Sequence, residues 1–408
     1  MRILLLLTHS FPLGGGEEFL SAELKRASGF DRILVCPCSP APGAARTKEL
    51  PPGAECVPLE RKPLGRSAYL RLLFSPGVPA ELCRLLCSGR LTAARAHELL
   101  YFAKHAREIC EALERAVPIE PGGSVTIYSY WLYDAAAAGA LFAAGLRKRG
   151  VAVRQISRAH GFDIHSERAK HGYLPMRTFL FRRLDRIFPC SDDGAETLRR
   201  EAGPYAEKIE RSYLGTEDCG AGPRSREPFR IVSCAYMVPV KRLHLIAEAL
   251  KQADFSVVWT HLGSGPLEPE IRAMARELPP NVTAEFPGQL GNGEILNYYR
   301  SAPVSAFVNV SESEGVPVSV MEACSFGIPV VATDAGGTRE LVSDGRNGFL
   351  LPKDFSPREL LDDLRKLRDM PEGEYEALCA GSRTVWEKSF NADVNYPAFY
   401  RALAGGVS

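Results

Sequence analysis

The chain has almost no net charge: 50 Lys and Arg stand against 49 Asp and Glu among 408 residues, a formal +1 at neutral pH. Nucleic-acid binding surfaces depend on an excess of positive charge, so nothing in this balance suggests that class of partner and none is expected. Long hydrophobic runs are also missing. A membrane span needs roughly twenty apolar residues, and the Ala-rich stretch from Ala135 to Ala144 is short and preceded by Asp134. The run Met1 to Leu7 is too short for the apolar region of a secretory signal and leads straight into Thr8, His9 and then three glycines, so it reads as a first strand. The 11 cysteines are an odd number and scattered, and the close pairs Cys36/Cys38 and Cys83/Cys87 lack zinc-site spacing. Free thiols in a reducing compartment fit better than a disulfide framework or a metal centre. No low-complexity tract, internal repeat or G-x-G-x-x-G dinucleotide pattern is present.

What is present is an ordinary globular composition, 45% hydrophobic and 24% charged, in a chain longer than one core usually holds. Two domains are expected. Strand and helix patterns alternate through the first half, from Arg2–Leu7, Glu17–Ala27 and Arg32–Cys36 to Val125–Ser129, Val151–Ser157 and Arg186–Pro189, with Ser191 capping a helix that runs to Ala202. The Gly-, Pro- and charge-rich segment Cys219–Pro228 reads as a linker. The alternation restarts at Phe229–Ala235. The fold class is therefore α/β, with mostly parallel sheets.

The densest signal lies in residues 307–342. An apolar strand at Ala306–Val310 leads into a Glu314-Gly315 turn, and Pro317 stands as the first residue of a helix, where its missing amide costs nothing. Glu314 and Glu322 are spaced E-x7-E across that turn and helix. Two readings compete. Acids near a helix start commonly serve as dipole partners or solvated charges. Alternatively, each carboxylate accepts hydrogen bonds from neighbouring sugar hydroxyls while the helix N-terminus between them seats a phosphate, which together describe a nucleotide sugar. A second apolar strand, Ile328–Ala332, and the turn Asp334 to Gly337 follow, as loops at the carboxyl ends of strands do around ligands in open α/β sheets.

The run Glu314, Gly315, Pro317, Glu322, Ala323, then Gly327, Pro329, Val330, Val331, Ala332 and Thr333 resembles the E-G-x-P-x-x-x-x-E-A and G-x-P-V-V-A-T signature of retaining GT-B glycosyltransferases, family 4. The resemblance implies two Rossmann-like domains facing each other across a cleft: an acceptor-binding domain over 1–218, a linker over 219–228, a donor domain over 229–389, and a terminal helix over 390–408 crossing back. It implies that Glu314 contacts the transferred sugar and Glu322 the ribose, with Gly315, Val316, Pro317 and Val318 lining the donor. His261 to Leu267 is similar to the family's G-x-G-P-L turn and Phe286 to Leu290 to its F-x-G-x-V segment by the base, which brings Gly263 and Leu290 to the donor. In the family's G-R-L-x-x-x-K-G pattern an arginine and a lysine meet the diphosphate. Here Lys241 keeps its place, Tyr236 replaces the arginine, and Arg242 is the candidate for the second charge. A pair of exposed cations at a helix start is the plainer alternative.

In the first half, Gly14-Gly15-Gly16-Glu17 resembles the family's G-G-x-E loop, which implies that Gly15 and Gly16 approach the diphosphate or the acceptor. The run RAHGFD resembles its H-G-x-D segment, implying that His160 lies against the transferred sugar at the reacting centre. Trp131 and Asp163 are candidates for acceptor binding, with Asp163 and Arg158 as a loop-stabilising charge pair the alternative.

The activity the resemblance implies is retaining, metal-independent transfer of a hexose from a nucleotide-diphosphate sugar, UDP favoured over GDP, to a hydroxyl of a glycan or lipid-linked oligosaccharide in surface polysaccharide assembly. Retention without a carboxylate nucleophile implies front-face departure and attack. No cofactor is expected, and the acids lack the clustered spacing of a metal site. Two other readings stay open: a nucleotide-sugar epimerase of the same fold, or a non-catalytic sugar-nucleotide binder. The implied setting is cytoplasmic. The Leu- and Arg-rich helices of residues 60–115, with Arg66, Arg71, Arg84, Arg90 and Arg95, read as a solvated surface or as a face for peripheral contact with anionic lipid at the inner side of the membrane.

Overall fold

A computed structural model describes residues 1–14, 17–65 and 72–405. The chain divides into two compact units, Met1–Tyr213 with Tyr396–Ser408, and Leu214–Asn395. Gly15, Gly16, Arg66 and Arg71 lie outside the described residues.

The first unit holds six parallel strands: β1 (Arg2–Thr8), β2 (Arg32–Pro37), β3 (Ala54–Cys56), β4 (Ser124–Ser129), β5 (Ala152–Ala159) and β6 (Arg186–Pro189), in the order β3-β2-β1-β4-β5-β6. A central parallel strand covered on both faces needs an unbroken apolar run, and β1 supplies one in Leu4 to Leu7, all fully buried. Odd and even positions of that run serve different cores. Leu5 and Leu7 pack with Ile127, Ala138 and Phe142, while Leu4 and Leu6 pack with Leu20, Tyr128 and Leu403. The second half of the final helix, Ala392–Ala404, belongs to this unit: Arg154 Nη1 donates to the carbonyls of Ala402 at 2.7 Å and Leu403 at 2.8 Å, capping its end.

The second unit repeats the plan with β7 (Arg230–Cys234), β8 (Val257–Leu262), β9 (Val282–Gly288), β10 (Ala306–Asn309), β11 (Val330–Thr333) and β12 (Gly348–Leu351), ordered β12-β11-β10-β7-β8-β9 and parallel throughout. Its core joins Ile231, Trp259 and Val308 to Leu360, Leu364 and Leu367 of the helix Pro357–Asp369. In each sheet the strand order reverses once, between β1 and β4 and between β7 and β10. Open α/β sheets bind ligands at that reversal, outside the carboxyl ends of the strands.

Two parallel sheets flanked by helices give the two Rossmann-like lobes expected of the α/β class. Most patterned strands and helices fall within a few residues of expectation, and Ser191 does cap the helix Asp192–Ala202, accepting the Gly194 amide at 2.9 Å. Four helices were not read from the pattern: Arg177–Arg183, Asn292–Ser301, Pro357–Asp369 and Glu372–Ser389. Among the described residues no helix is long and apolar enough to cross a membrane.

Candidate functional site

In the second unit the loops leaving β7 and β10 meet at the strand-order reversal. The Glu312 amide donates to the Val240 carbonyl at 2.9 Å, which ties the two loops together. This brings Lys241, after β7, against Glu314, after β10: Lys241 Nζ donates to Glu314 Oε1 at 2.7 Å, and Asn309 Nδ2 reaches the same oxygen at 3.3 Å. The Glu314 side chain is 11% exposed and that of Lys241 25%. Two opposite charges so placed fix each other's geometry while remaining open to exchange with a ligand carrying both hydroxyls and an anion.

Glycines hold the neighbouring loops at a spacing no side chain permits. Gly336, at φ +57°, lies so close to the Glu314 turn that a Cβ there would come 2.1 Å from the Glu314 carbonyl oxygen, and the Gly337 amide donates to the Gly315 carbonyl at 2.8 Å. On the other side, Gly263, at φ +144°, would place a Cβ 2.1 Å from the Ala235 carbonyl oxygen. A buried relay fixes that carbonyl. His261 Nε2 stands 3.1 Å from it and must donate, because a carbonyl oxygen only accepts, which leaves Nδ1 to accept from Ser233 Oγ at 2.8 Å. Trp259 Nε1 donates to Ser233 Oγ at 3.0 Å in turn. Burial holds His261 down to about 4, so the imidazole is neutral and keeps this tautomer. Sequence reading placed His261 in a motif without foreseeing its task.

The helix Val318–Ser325 starts one residue later than expected, with Pro317 as its N-cap at ψ 116°. Val316 and Pro317 are buried, while Gly315 and Val318 are half-buried. Glu322 sits on the inner side of the helix, 7% exposed, and accepts a hydrogen bond from Asn292 Nδ2 at 2.6 Å. Burial pushes its carboxyl up to about 7. Asn292 begins the helix Asn292–Ser301 after the N-cap Gly291, two residues beyond the half-buried Leu290, and nothing in the sequence pattern singled it out.

Arg242 has a different occupation from the one expected. It follows the short 3-10 turn Pro239–Lys241 in a left-handed conformation, φ 47°, which turns its guanidinium inward. Nε donates to the Val310 carbonyl at 2.8 Å, Nη1 to the Lys353 carbonyl at 2.7 Å and Nη2 to Thr333 Oγ1 at 3.4 Å. It braces the carboxyl ends of β10 and β11 and does not stand beside Lys241 as a second exposed cation. Tyr236 is 57% exposed on the loop after β7.

In the first unit the loops after β1, β4 and β5 gather another group at the strand-order reversal. Glu17 accepts the amides of His9, Ser10 and Phe11, each at 2.8 Å, and Trp131 Nε1 at 2.8 Å. The Trp131 ring packs 4.6 Å from that of His160 and 5.1 Å from Phe162, which is 46% exposed. His160 Nε2 lies 3.0 Å from the Tyr130 carbonyl and donates to it, so Nδ1 is the acceptor nitrogen. Burial, with the Arg158 charge behind it, holds His160 down to about 3. Asp163 is corrected from an acceptor contact to a loop brace: fully buried, it accepts the His160 amide at 2.7 Å and the Leu132 amide at 2.8 Å. The Asp163–Arg158 pair also fails to form. Arg158 instead meets Glu23 at 3.2 Å and the Phe399 ring at 3.9 Å, contacts between distant parts of the chain that no local pattern announces. Among the described residues, no group of three or more His, Cys, Asp and Glu side chains is placed to hold a metal ion.

Residues 220–379 match the glycosyl transferases group 1 family. The chain is 32% identical over 264 residues, 62% of its length, to the Escherichia coli colanic acid biosynthesis glycosyltransferase WcaL, and the match spans 64% of that protein. It is 27% identical over 254 residues to the amylovoran biosynthesis glycosyltransferase AmsK of Erwinia amylovora, covering 60% of this chain and 62% of that one. The chain thus spans less than two thirds of the length of these relatives. Among solved structures, the fold is similar to that of Anabaena HepE in complex with UDP, with a TM-score of 0.69 at 16% identity over 99% of this chain and 100% of the other. Thermosynechococcus elongatus sucrose-phosphate synthase is similar as well, with a TM-score of 0.68 at 17% identity over 99% of both chains.

Proposed function

We propose, on the premise that this chain has the GT-B fold and is related to the glycosyl transferases group 1, that it is a retaining glycosyltransferase moving a hexose from a nucleotide-diphosphate sugar to a hydroxyl of a glycan or lipid-linked oligosaccharide in surface polysaccharide biosynthesis. The observation that carries this reading is the Lys241–Glu314 pair at the reversal of the second sheet, with Glu322 and Asn292 behind it. A nucleotide sugar exchanges that pair for better partners. Its diphosphate takes the Lys241 ammonium and the amide end of the helix Val318–Ser325, its sugar hydroxyls donate to Glu314, and its ribose hydroxyls donate to Glu322.

Lys241, the helix end and backbone amides stabilise the leaving diphosphate as the glycosidic bond breaks, without a metal ion. Gly315, Val316, Pro317 and Val318 border the sugar and phosphate, and Gly263 and Leu290 border the nucleoside. Arg242 holds the loops rather than the phosphate. His160, neutral and held by the Tyr130 carbonyl, offers Nδ1 as an acceptor toward the transferred sugar, with Trp131 beside it on the acceptor side. UDP is the favoured nucleotide: the structural neighbour HepE was crystallised with UDP, and relatives at 32% and 27% identity are named for colanic acid and amylovoran biosynthesis. The proposed setting is cytoplasmic, peripheral at the inner face of the membrane.

A thermal-shift screen of UDP and GDP sugars tests the donor seat. Stabilisation by one nucleotide sugar that disappears in Glu322→Ala, while the variant's own melting stays cooperative, is expected; equal shifts in wild type and Glu322→Ala contradict the seat. One observation favours a second reading, a non-catalytic binder: Tyr236, where the family has an arginine, leaves one side-chain cation for the diphosphate. Tyr236→Arg then tightens nucleotide binding in either case but creates turnover only if the reading as a transferase fails for the native chain.

A further inference from the structure

We infer that the outer face of the helix Val78–Cys87, with the turns on either side of it, docks on an anionic lipid surface. The helix buries Val78, Glu81 and Leu85 against its own unit. Its opposite face should therefore be polar, yet the exposed positions Ala80, Cys83, Leu86 and Cys87, spaced for one side of a helix, carry no charge. Leu86 is 66% exposed, Phe74 just before the helix 84%, and Leu91 just after it 38%. Single exposed apolar residues are ordinary; a stripe of them continued at both ends is a contact surface.

The charges around the stripe identify its occupant. From Leu72 to His97 the only acid is Glu81, and it is buried, bonded to Arg84 at 2.6 Å and to the Tyr173 hydroxyl at 2.7 Å. Arg84 is spent on that acid through two hydrogen bonds, and the cations that flank the stripe beyond it are Arg90 and Arg95. Arg90 and Arg95 donate to the carbonyls of Gly172 and His171, which brings the exposed Lys170 to the same rim. A second copy of this face would set like charges against each other. Lipid phosphates accept from the arginines while the acyl boundary receives Phe74 and Leu86. The inference deepens the peripheral location proposed above and is tested without donor or acceptor, so it stands or falls separately from the transferase reading.

The test is sedimentation of the full chain with vesicles of phosphatidylcholine containing about a third phosphatidylglycerol, against pure phosphatidylcholine. Binding to the anionic vesicles only, weakened by salt, is expected. Phe74→Glu, Leu86→Glu and Arg90→Glu should each lower it on the order of tenfold, whereas Val394→Glu, at an apolar site 53% exposed elsewhere, should not. Cys83 and Cys87 are the two exposed cysteines, so a polarity-sensitive thiol label reports the face directly, and its emission should shift blue on anionic vesicles. Equal binding by the three variants, binding that ignores lipid charge, or loss of a dimer instead of lipid binding in the variants overturns the inference.

Discussion

At Glu322 a single carboxyl links fold, pH and ligand. Burial raises it from 4.5 to about 7, so between those values the folded chain holds a proton that the unfolded chain has released. The sign follows: stability falls as pH rises through that window, because the charged form is disfavoured in the fold. Glu322→Gln removes the charge and keeps an oxygen for Asn292, so it should be more stable than wild type at pH 8 by up to about 3 kcal/mol. It should also bind nucleotide roughly tenfold or more weakly at that pH, since an ionised acceptor is lost. Calorimetric titrations from pH 6 to 8.5 check both: wild-type affinity should rise across about pH 7 and the variant's should be flat. Lys241→Ala and Glu314→Ala divide the pair's roles. The first should weaken nucleoside diphosphate binding about tenfold or more; the second should leave UDP binding nearly intact and abolish sugar transfer, read as donor turnover. The acids and Lys241 were legible because a dense motif surrounds them. Arg242 was not: whether a guanidinium faces a ligand or three oxygen acceptors of its own domain depends on one left-handed backbone turn, and no residue type announces that turn here. Asn292 was invisible because the helix it opens was itself not read from the pattern.

Among the elements, the strands under the site were legible from their apolar runs, and the loops from their glycines. The helix Val318–Ser325 was read one residue early because proline suits both the N-cap and the first turn. The helices Pro357–Asp369 and Glu372–Ser389 lie beyond the motif-bearing segment. The loop after β11 gives a sharp prediction. Gly336→Ala puts a methyl 2.1 Å from the Glu314 carbonyl oxygen and strains a residue at φ +57°, so the Glu314 turn must move. Stability should fall on the order of 1 to 3 kcal/mol, with transfer lost more completely than fold. A denaturation curve read beside a turnover assay separates the two, and unchanged turnover would show that the loop spacing is not needed. In the first unit, Asp163→Ala leaves the amides of His160 and Leu132 without their buried acceptor. A loss on the order of 2 to 4 kcal/mol is expected, measured by chemical denaturation, together with a fall in kcat as His160 loses its anchor.

For the whole molecule, two sheets of the same order, each reversing once, put one constellation on each unit: Lys241, Glu314 and Glu322 on the second, and His160 and Trp131 on the first. The doubled α/β plan was legible because strands and helices alternate on either side of a Gly- and Pro-rich break. The long-range pair of Glu23 with Arg158, stacked on Phe399, was not, because it joins segments from opposite ends of the first unit's chain. The proposed chemistry assigns charge neutralisation to Lys241, the helix end and backbone amides, so activity should survive exhaustive chelation. Loss on EDTA that magnesium or manganese restores would contradict that assignment. The central claim, transfer of a hexose from a nucleotide sugar, is met most directly by measuring nucleoside diphosphate release from the stabilising nucleotide sugar, with and without a lipid-linked oligosaccharide acceptor. The account predicts release in step with elongation of the acceptor, with the donor's anomeric configuration retained, and none from Glu314→Ala. Interconversion of the donor sugar without acceptor, or binding with no release under any acceptor, would contradict it.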